Sequence, residues 1–239
     1  MTVARFVDLD GAAPDDAVVV IDVLRAFTTV PWVLARGASR VLAVDTAERA
    51  MALRDGPSGA TPGAGPVPEA VLAGESGGRP LEGFDLGNSP SEVAALDLTG
   101  RPVVHRTTAG TQGLVRCQDS PLLLAASFVT AAATARTLRA AQVGHVTYVV
   151  TGASLGRDGD EDLACAELIA ARVAGDDPDP APYLARVPAS DAGRQFVDPD
   201  GPAWLPAVDL DYACEVDRFE VALVARPVTE LAAVEVAAG

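Results

Sequence analysis

The feature that most constrains this chain is an apolar, mostly β-branched run that ends in an acid. Val18, Val19, Val20 and Ile21 follow one another directly, and Asp22 comes next. A run without polar alternation indicates a strand that is buried on both faces, which is typical of parallel sheets. Because such a strand needs helices on both sides, the pattern predicts an α/β fold.

Strand and helix patterns alternate along most of the chain, so we expect a three-layer α/β architecture with a largely parallel or mixed sheet. The pattern predicts strands at 18–21, 40–45, 70–75, 101–106, 121–126, 143–150 and 219–225, and helices at 27–35, 46–53, 93–96, 128–141 and 160–172. Segment 56–68 is predicted to be a surface loop. Segment 183–205 is predicted to form short helices and loops. Residues 1–239 are expected to form one α/β domain, or two lobes with a pocket between them.

Charge and composition exclude several classes of function. The net charge of -15 argues against a nucleic-acid partner, which requires a basic surface. No uncharged apolar run reaches the length of a membrane span, and the N-terminus lacks the pattern of a signal peptide. Three widely spaced cysteines without a CxxC pair indicate free thiols in a reducing compartment. We therefore expect a cytoplasmic protein with no membrane partner.

Polar or glycine-rich turns follow several of the predicted strands. They occupy residues 22–25, 75–79, 107–111 and 151–154. Since the carboxyl ends of parallel strands share one edge of a sheet, we expect these turns to meet at one pocket. This convergence is stronger evidence for a site than any single turn.

The charged residues in these turns suggest a site for a cation and an anion. Asp22, Glu75 and Asp162 are candidate ligands for Mg²⁺, which prefers a few carboxylates, water and phosphate oxygens. Arg25 and Arg79 are candidates for holding an anion through two hydrogen bonds each. Alternative roles remain for several of these residues. Asp22 and Arg25 could form an ion pair that closes a turn, while Asp162 fits a first-turn helix acid and Glu75 a surface group.

Hydroxyl groups and glycines supply a second kind of anion site. The turn formed by Thr107, Thr108, Gly110 and Thr111 lies between a predicted strand and a short helix, where backbone N–H groups bind phosphate well. Threonine and glycine are also ordinary turn residues, so the purely structural interpretation stays open. Ser89 has a structural explanation of its own, because it begins a capping box.

Taken together, these motifs resemble the 2-phosphosulfolactate phosphatase family. The resemblance rests on residues 21–29, 72–75, 83–90 and 107–111, in that order and with approximately the family's spacing. Glu161 and Asp162 ahead of a helix also fit, and residues 209–217 fit less closely. The matching segments span most of the chain.

The resemblance implies an α/β phosphatase that depends on Mg²⁺. The family's named reaction removes phosphate from 2-phospho-3-sulfolactate and yields 3-sulfolactate for coenzyme M biosynthesis. By this resemblance Asp22, Arg25 and Glu75 are expected to be catalytic, and Asp22, Glu75 and Asp162 to bind the metal. The expected substrate-binding residues are Thr28, Thr29, Arg79, Asn88, Ser89, Thr107, Thr108, Gly110 and Thr111.

Two positions depart from the family pattern. The family has arginine where this chain has Ser76, and asparagine where it has Ala109. Both missing groups orient anions or metals, so the departures motivate an alternative function, a non-catalytic binder of an anionic metabolite. The expected partner in either case is a small phosphorylated acid, and a homodimer is one expected form.

Overall fold

The computed structural model describes residues 2–57 and 65–239, and the described residues form a ten-stranded mixed sheet. The strands in chain order are β1 (Val3–Asp8), β2 (Ala17–Ile21), β3 (Arg40–Ala43), β4 (Val71–Ser76), β5 (Arg79–Pro80), β6 (Pro102–Arg106), β7 (Leu122–Ala126), β8 (His145–Val150), β9 (Leu223–Val228) and β10 (Ala233–Ala238). Their order across the sheet is β1-β8-β2-β7-β9-β10-β3-β6-β4-β5.

Helices cover both faces of this sheet. The α-helices are α1 (Ala26–Ala35), α2 (Ala47–Asp55), α3 (Pro90–Ala94), α4 (Gly110–Arg116), α5 (Ala131–Ala141), α6 (Asp160–Ala174), α7 (Ala181–Leu184), α8 (Arg186–Ala189), α9 (Asp191–Arg194) and α10 (Val208–Ala213). Short 3₁₀ turns occupy Phe128–Thr130, Thr151–Gly156 and Thr229–Leu231. The described helices include none that is long and apolar enough to cross a membrane.

Strand β2 is buried on both faces, as its sequence predicts. Val18 and Val20 pack in the apolar cluster that contains Phe27 of α1. Val19 and Ile21 pack in the opposite cluster, together with apolar residues of α5 and α6. The predicted α/β class with helices on both sides of a mixed sheet is therefore confirmed, while the choice between one domain and two lobes stays a prediction.

The expectation that the strand ends share one parallel edge is wrong. Strands β1, β8, β2 and β7 form one parallel group, and β3, β6 and β4 form another. Three antiparallel pairings through β9 and β10 separate the groups, so the groups run in opposite senses. Sheet twist brings their carboxyl ends together, because five neighbouring pairs from β2 to β6 add a rotation of roughly 100–125° at about 20–25° each.

Several element boundaries also differ from the prediction. The sequence pattern did not predict β1, β5 and β10, because β1 and β10 lie at the two ends of the chain outside the central apolar runs and β5 has only two residues. Strand β9 begins at Leu223 rather than 219, since the Phe219 N–H donates to the carbonyl of Val129 at 2.9 Å. Segment 183–205 contains short helices, as predicted. Of the predicted loop at 56–68, residues 58–64 lie outside the described residues.

Candidate active site

A small cavity lies where the two parallel groups of strands meet. Its volume is about 60 Å³, which gives room for roughly four to six water-sized groups at about 10–15 Å³ each, the size of a phosphate. Five of the predicted site residues line it, namely Asp22, Arg25, Glu75, Asn88 and Thr108. The turns after β2, β4 and β6 do therefore converge, although they belong to strands of opposite sense.

Asp22 lies directly after β2, in the turn that leads into α1, and faces the turn after β6. Its Oδ1 atom accepts the Ala26 N–H at 2.9 Å. A Cβ atom at Gly110 would lie 2.6 Å from Asp22 Oδ2, so only glycine at position 110 allows this approach. Burial, reinforced by the charges of Glu75 and Glu161, raises the pKa of Asp22 to about 7. A nearby cation would stabilise the ionised form of a carboxylate that is buried in this way.

Arg25 does not pair with Asp22, so the interpretation of these two residues as an ion pair is wrong. Its Nη1 atom donates to Asp209 Oδ2 at 2.7 Å and to the Trp204 carbonyl at 2.9 Å. The guanidinium also lies 5.2 Å from the ring centre of Phe196. These contacts fix the orientation of Arg25 on the wall of the cavity.

Asp209 is a buried residue of α10 that sequence reasoning did not assign to the site. In addition to Arg25, it accepts hydrogen bonds from the Ser89 hydroxyl at 2.9 Å, and from the Ser91 hydroxyl at 2.5 Å. Ser89 also caps α3 through the Glu92 N–H at 3.3 Å, which agrees with the predicted capping box. The resemblance over 209–217 was the one signal for Asp209 in the sequence.

Glu75 closes the glycine-rich turn against the threonine turn. Its Oε1 atom accepts the Thr108 N–H at 2.6 Å. Its Oε2 atom accepts the Gly78 N–H at 2.6 Å and the Thr108 hydroxyl at 2.9 Å. Thr107 and Thr111 are buried and exchange hydrogen bonds of 2.9 and 3.1 Å. The turn is thus rigid, and Glu75 takes the Thr108 N–H that was predicted to bind phosphate.

The other predicted residues do not line the small cavity, namely Thr28, Thr29, Arg79, Ser89, Thr107, Gly110, Thr111 and Asp162. Thr28 donates its hydroxyl to the Val23 carbonyl, and Thr29 donates to the Asn88 carbonyl. Arg79 is exposed on β5, with its guanidinium 5.9 Å from the ring centre of Trp204. Ser89 supports Arg25 only through Asp209. The roles of Thr28, Thr29, Arg79 and Ser89 in substrate binding stay predictions. The contacts of these four residues are those of residues that position the site.

Asp162 joins the ends of β2 and β8 rather than pointing into the cavity. Its Oδ1 atom accepts the Val23 N–H at 2.7 Å, and its Oδ2 atom accepts the Gly152 N–H at 2.7 Å. Burial raises its pKa well above the usual value for aspartate. Both oxygens are therefore engaged with backbone, which leaves Asp162 less suited to binding a metal than its sequence position indicates.

Arg157 and Glu161 are charged residues to which the sequence assigned no role in the site, although Glu161 is part of the family resemblance. Arg157 lines the small cavity, and its buried Nε atom has no hydrogen-bond partner among the described residues. Glu161 is 2% exposed, and its Oε2 atom likewise lacks a partner in the described part of the chain. Burial raises the pKa of Glu161. Both atoms are therefore available to a ligand, although Trp32, Arg40, Arg49 and Tyr148 also have a buried atom without a partner in the described residues.

The carboxylates fit a loosely held cation better than a protein cage. Across residues 2–57 and 65–239, no three acidic, histidine or cysteine side chains are placed to hold a metal together. Glu75 and Asp162 use their oxygens on N–H donors, which leaves Asp22 Oδ2 and Glu161 Oε2. Mg²⁺ commonly takes one or two carboxylates and completes its shell with water and phosphate. The available donors are compatible with that mode.

Asn88 is held in the wall of the cavity by His105. The Nε2 atom of His105 lies 3.1 Å from Asn88 Oδ1, and both residues are buried. Burial lowers the pKa of His105 to about 4 from 6.5. The imidazole is therefore neutral at pH 7, and its contact with Asn88 is that of a structural residue.

The lowered pKa of His105 predicts that the protein loses stability in acid. Because the folded pKa is lowered, the stabilisation is complete above pH 6.5 and disappears as the pH falls towards 4. We expect the fall in unfolding free energy from pH 7 to pH 5 to be about 2 kcal/mol smaller in His105→Gln than in the parent protein. Urea unfolding at both pH values measures it. The exposed His145→Gln is the matched control, and equal falls in all three proteins would contradict the prediction.

Comparison with known proteins gives consistent matches. The family model described as 2-phosphosulpholactate phosphatase matches residues 5–193. Several matched relatives carry the name "Probable 2-phosphosulfolactate phosphatase", among them the following three. The one from Bacillus subtilis is 32% identical over 187 residues, which cover 78% of this chain and 77% of the relative. The one from Deinococcus radiodurans is 40% identical over 65% of this chain, and the one from Parasynechococcus marenigrum 37% identical over 70%. The matches cover 60% and 65% of those two relatives, which is less than two thirds of each.

Proposed function

The chain belongs to the 2-phosphosulpholactate phosphatase family, and on that premise we propose that it is a Mg²⁺-dependent phosphatase of a small phosphorylated 2-hydroxy acid. The substrate class is 2-phosphosulfolactate or a relative of it. The observation that carries the proposal is the phosphate-sized cavity in which Asp22 faces two arginines, Arg25 and Arg157. A reducing cytoplasm is the proposed compartment, which agrees with three unpaired cysteines.

The proposed reaction is hydrolysis of a phosphate monoester. The oxygen of a water molecule forms a bond to phosphorus, and the bond from phosphorus to the C2 oxygen breaks. The leaving oxygen takes up a proton, so the products are inorganic phosphate and the free 2-hydroxy acid. Arg25 and Arg157 stabilise the charge that develops on the phosphoryl oxygens, and the rigid Glu75–Thr108 contact keeps the cavity wall in place.

Asp22 and Glu161 are the residues that would hold Mg²⁺ at this site. The bound ion would neutralise phosphoryl charge and lower the pKa of a coordinated water molecule. Asp22 accepts the Ala26 N–H through one oxygen, so its carboxylate is oriented before any ligand binds. This fixed orientation reduces the reorganisation that the reaction requires.

Water is the proposed nucleophile, rather than Asp22 itself. Many phosphotransferases that form an aspartyl phosphate carry a second acid two residues after the nucleophile, and here that position is Leu24. Acid quench during turnover of a substrate with a radiolabelled phosphoryl group should therefore leave no label on the protein. A hydroxylamine-sensitive phosphoenzyme in a peptide that contains Asp22 would show covalent attack instead.

A phosphate-release screen tests the function directly. We expect release from phosphorylated 2-hydroxy acids in the presence of Mg²⁺ and none after EDTA treatment. The alternative is a non-catalytic binder of an anionic metabolite, for which the departures at Ser76 and Ala109 are the motivation. That alternative predicts a rise in Tm with these acids but no release of phosphate under any metal condition.

Replacement of Arg25 by lysine is expected to be damaging although it keeps the charge. An ammonium cannot reproduce the planar guanidinium that contacts Asp209, the Trp204 carbonyl and Phe196 at once. We expect kcat/KM for Arg25→Lys to fall about tenfold or more, the value of roughly one charge-assisted hydrogen bond. Steady-state phosphate release measures it, with the exposed Arg101→Lys as the control. Unchanged kinetics across several substrates would remove Arg25 from the site.

A further inference from the structure

Asn88 has a free hydrogen-bond donor at the small cavity. The residue is 4% exposed and lines this cavity together with Asp22 and Arg25. Its Oδ1 atom lies 3.1 Å from His105 Nε2, whereas its Nδ2 atom donates to none of the residues that the structure describes. That nitrogen is not fully buried, so its N–H groups are open to a ligand.

His105 reaches Asn88 from an apolar part of the core. It lies on β6, and the residues beside it in the sheet are Ala43 of β3 and Ala73 of β4. Both alanines belong to the apolar cluster that also contains Val103. A polar ring that is buried in such surroundings costs free energy unless it is hydrogen-bonded. Within the described residues, Asn88 Oδ1 is the one partner of the imidazole.

The contact with His105 fixes which end of the Asn88 amide faces the cavity. An amide oxygen only accepts hydrogen bonds, so His105 Nε2 carries the proton that it shares with Asn88 Oδ1. The oxygen and nitrogen of an amide have nearly the same shape, and a half-turn of the group exchanges them. The exchanged orientation would direct an oxygen towards the cavity, where it would repel an anion. His105 therefore favours the orientation in which the N–H groups face the ligand.

We propose that Asn88 donates a hydrogen bond to the phosphoryl group of the substrate, and that His105 is the positioning residue that holds the amide in this orientation. The inference rests on the proposed phosphatase function and adds a neutral donor to Arg25 and Arg157. His105 itself does not line the cavity, so it acts through Asn88. A donor that is oriented before the ligand binds needs no reorganisation when charge develops on the phosphoryl oxygens.

Binding of inorganic phosphate, a product of the proposed reaction, measures this arrangement without turnover. Titration calorimetry in the presence of Mg²⁺ gives the Kd for the parent protein and for two variants of His105. His105→Leu keeps apolar volume and removes the N–H group, so we expect Kd to rise about fivefold, the value of roughly one hydrogen bond. His105→Gln places an amide N–H group near the position of Nε2 and should bind phosphate within about twofold of the parent.

A double-mutant cycle separates positioning from a general effect on the fold. Asn88→Ala removes the donor and should raise Kd about fivefold or more. In the Asn88→Ala background, His105→Leu should change Kd by less than about twofold, because no amide remains to be oriented. Val103→Ala is the matched control, since Val103 lies on β6 and packs in the core. It should lower Tm and leave Kd unchanged.

Asn88→Asp tests the direction of the amide and leaves His105 in place. The carboxylate puts an oxygen where we place the N–H groups, so phosphate should bind more weakly to Asn88→Asp than to Asn88→Ala. Tighter binding of phosphate by Asn88→Asp would show that the oxygen of Asn88 faces the ligand, and would overturn the inference.

The outcomes separate this inference from the function on which it rests. Equal rises in Kd from His105→Leu in the parent and in the Asn88→Ala background would overturn the positioning role and leave the phosphatase intact. A cycle as predicted in a parent protein that releases phosphate from no phosphorylated 2-hydroxy acid would overturn the proposed function and support the anion site. A parent protein that does not bind phosphate with Mg²⁺ would overturn both.

Discussion

Asp22→Asn is expected to abolish Mg²⁺-dependent phosphate release while the fold persists. The amide keeps the shape of the side chain and an oxygen that can accept the Ala26 N–H, but it removes the negative charge that faces the cavity. Loss of a cation ligand and of its charge in a buried site should lower kcat/KM by about 1,000-fold or more. Phosphate release at saturating and limiting Mg²⁺ measures the effect.

The same substitution should not destabilise the protein. Burial raises the pKa of Asp22 to about 7, so its stabilising effect is present below its usual pKa of 3.8 and is lost as the pH rises through 7. At pH 8 without metal, the neutral Asp22→Asn protein should therefore unfold at an equal or higher Tm. The matched control is Asp45→Asn. Asp45 is an exposed acid that follows β3 and Val44. Near-parental release by Asp22→Asn at limiting Mg²⁺ would contradict the assignment.

Asp209→Ala is expected to have the largest effect on stability. Asp209 is fully buried and accepts hydrogen bonds from Arg25, Ser89 and Ser91. Removing one partner of a buried ion pair leaves an uncompensated charge and costs about 3–5 kcal/mol. Urea unfolding at pH 7 should show this loss, and KM should rise because Arg25 is no longer oriented.

The control for this prediction lies on the same helix. Asp211 is exposed on α10, and Asp211→Ala should change the unfolding free energy by less than about 0.5 kcal/mol. Asp209→Asn keeps an oxygen for the serine hydroxyls and should fall between the two variants. A loss below about 1 kcal/mol for Asp209→Ala would show that Arg25 finds other partners, and that the pair does not organise the site.

The sequence by itself determined the features that depend on near neighbours. The uninterrupted run before Asp22 predicted a strand buried on both faces, because side-chain direction alternates with a period of two. The order Ser89, Pro90, Glu92 predicted the start of α3, since capping is settled within one helical turn. The convergence of the turns after β2, β4 and β6 was also predicted, although the parallel edge assumed for it does not exist.

Only the tertiary structure decided which side chains pair across the site. Arg25 and Asp209 are separated by 184 positions, so no local pattern could connect them. Glu75 and Asp162 have the residue type of metal ligands, yet backbone N–H groups of distant turns engage their oxygens. These contacts follow from the twist of the mixed sheet and the packing of α6 and α10, which depend on the whole chain. Residue type therefore predicted where charged side chains would cluster. Packing decided which of these side chains remain available to a ligand.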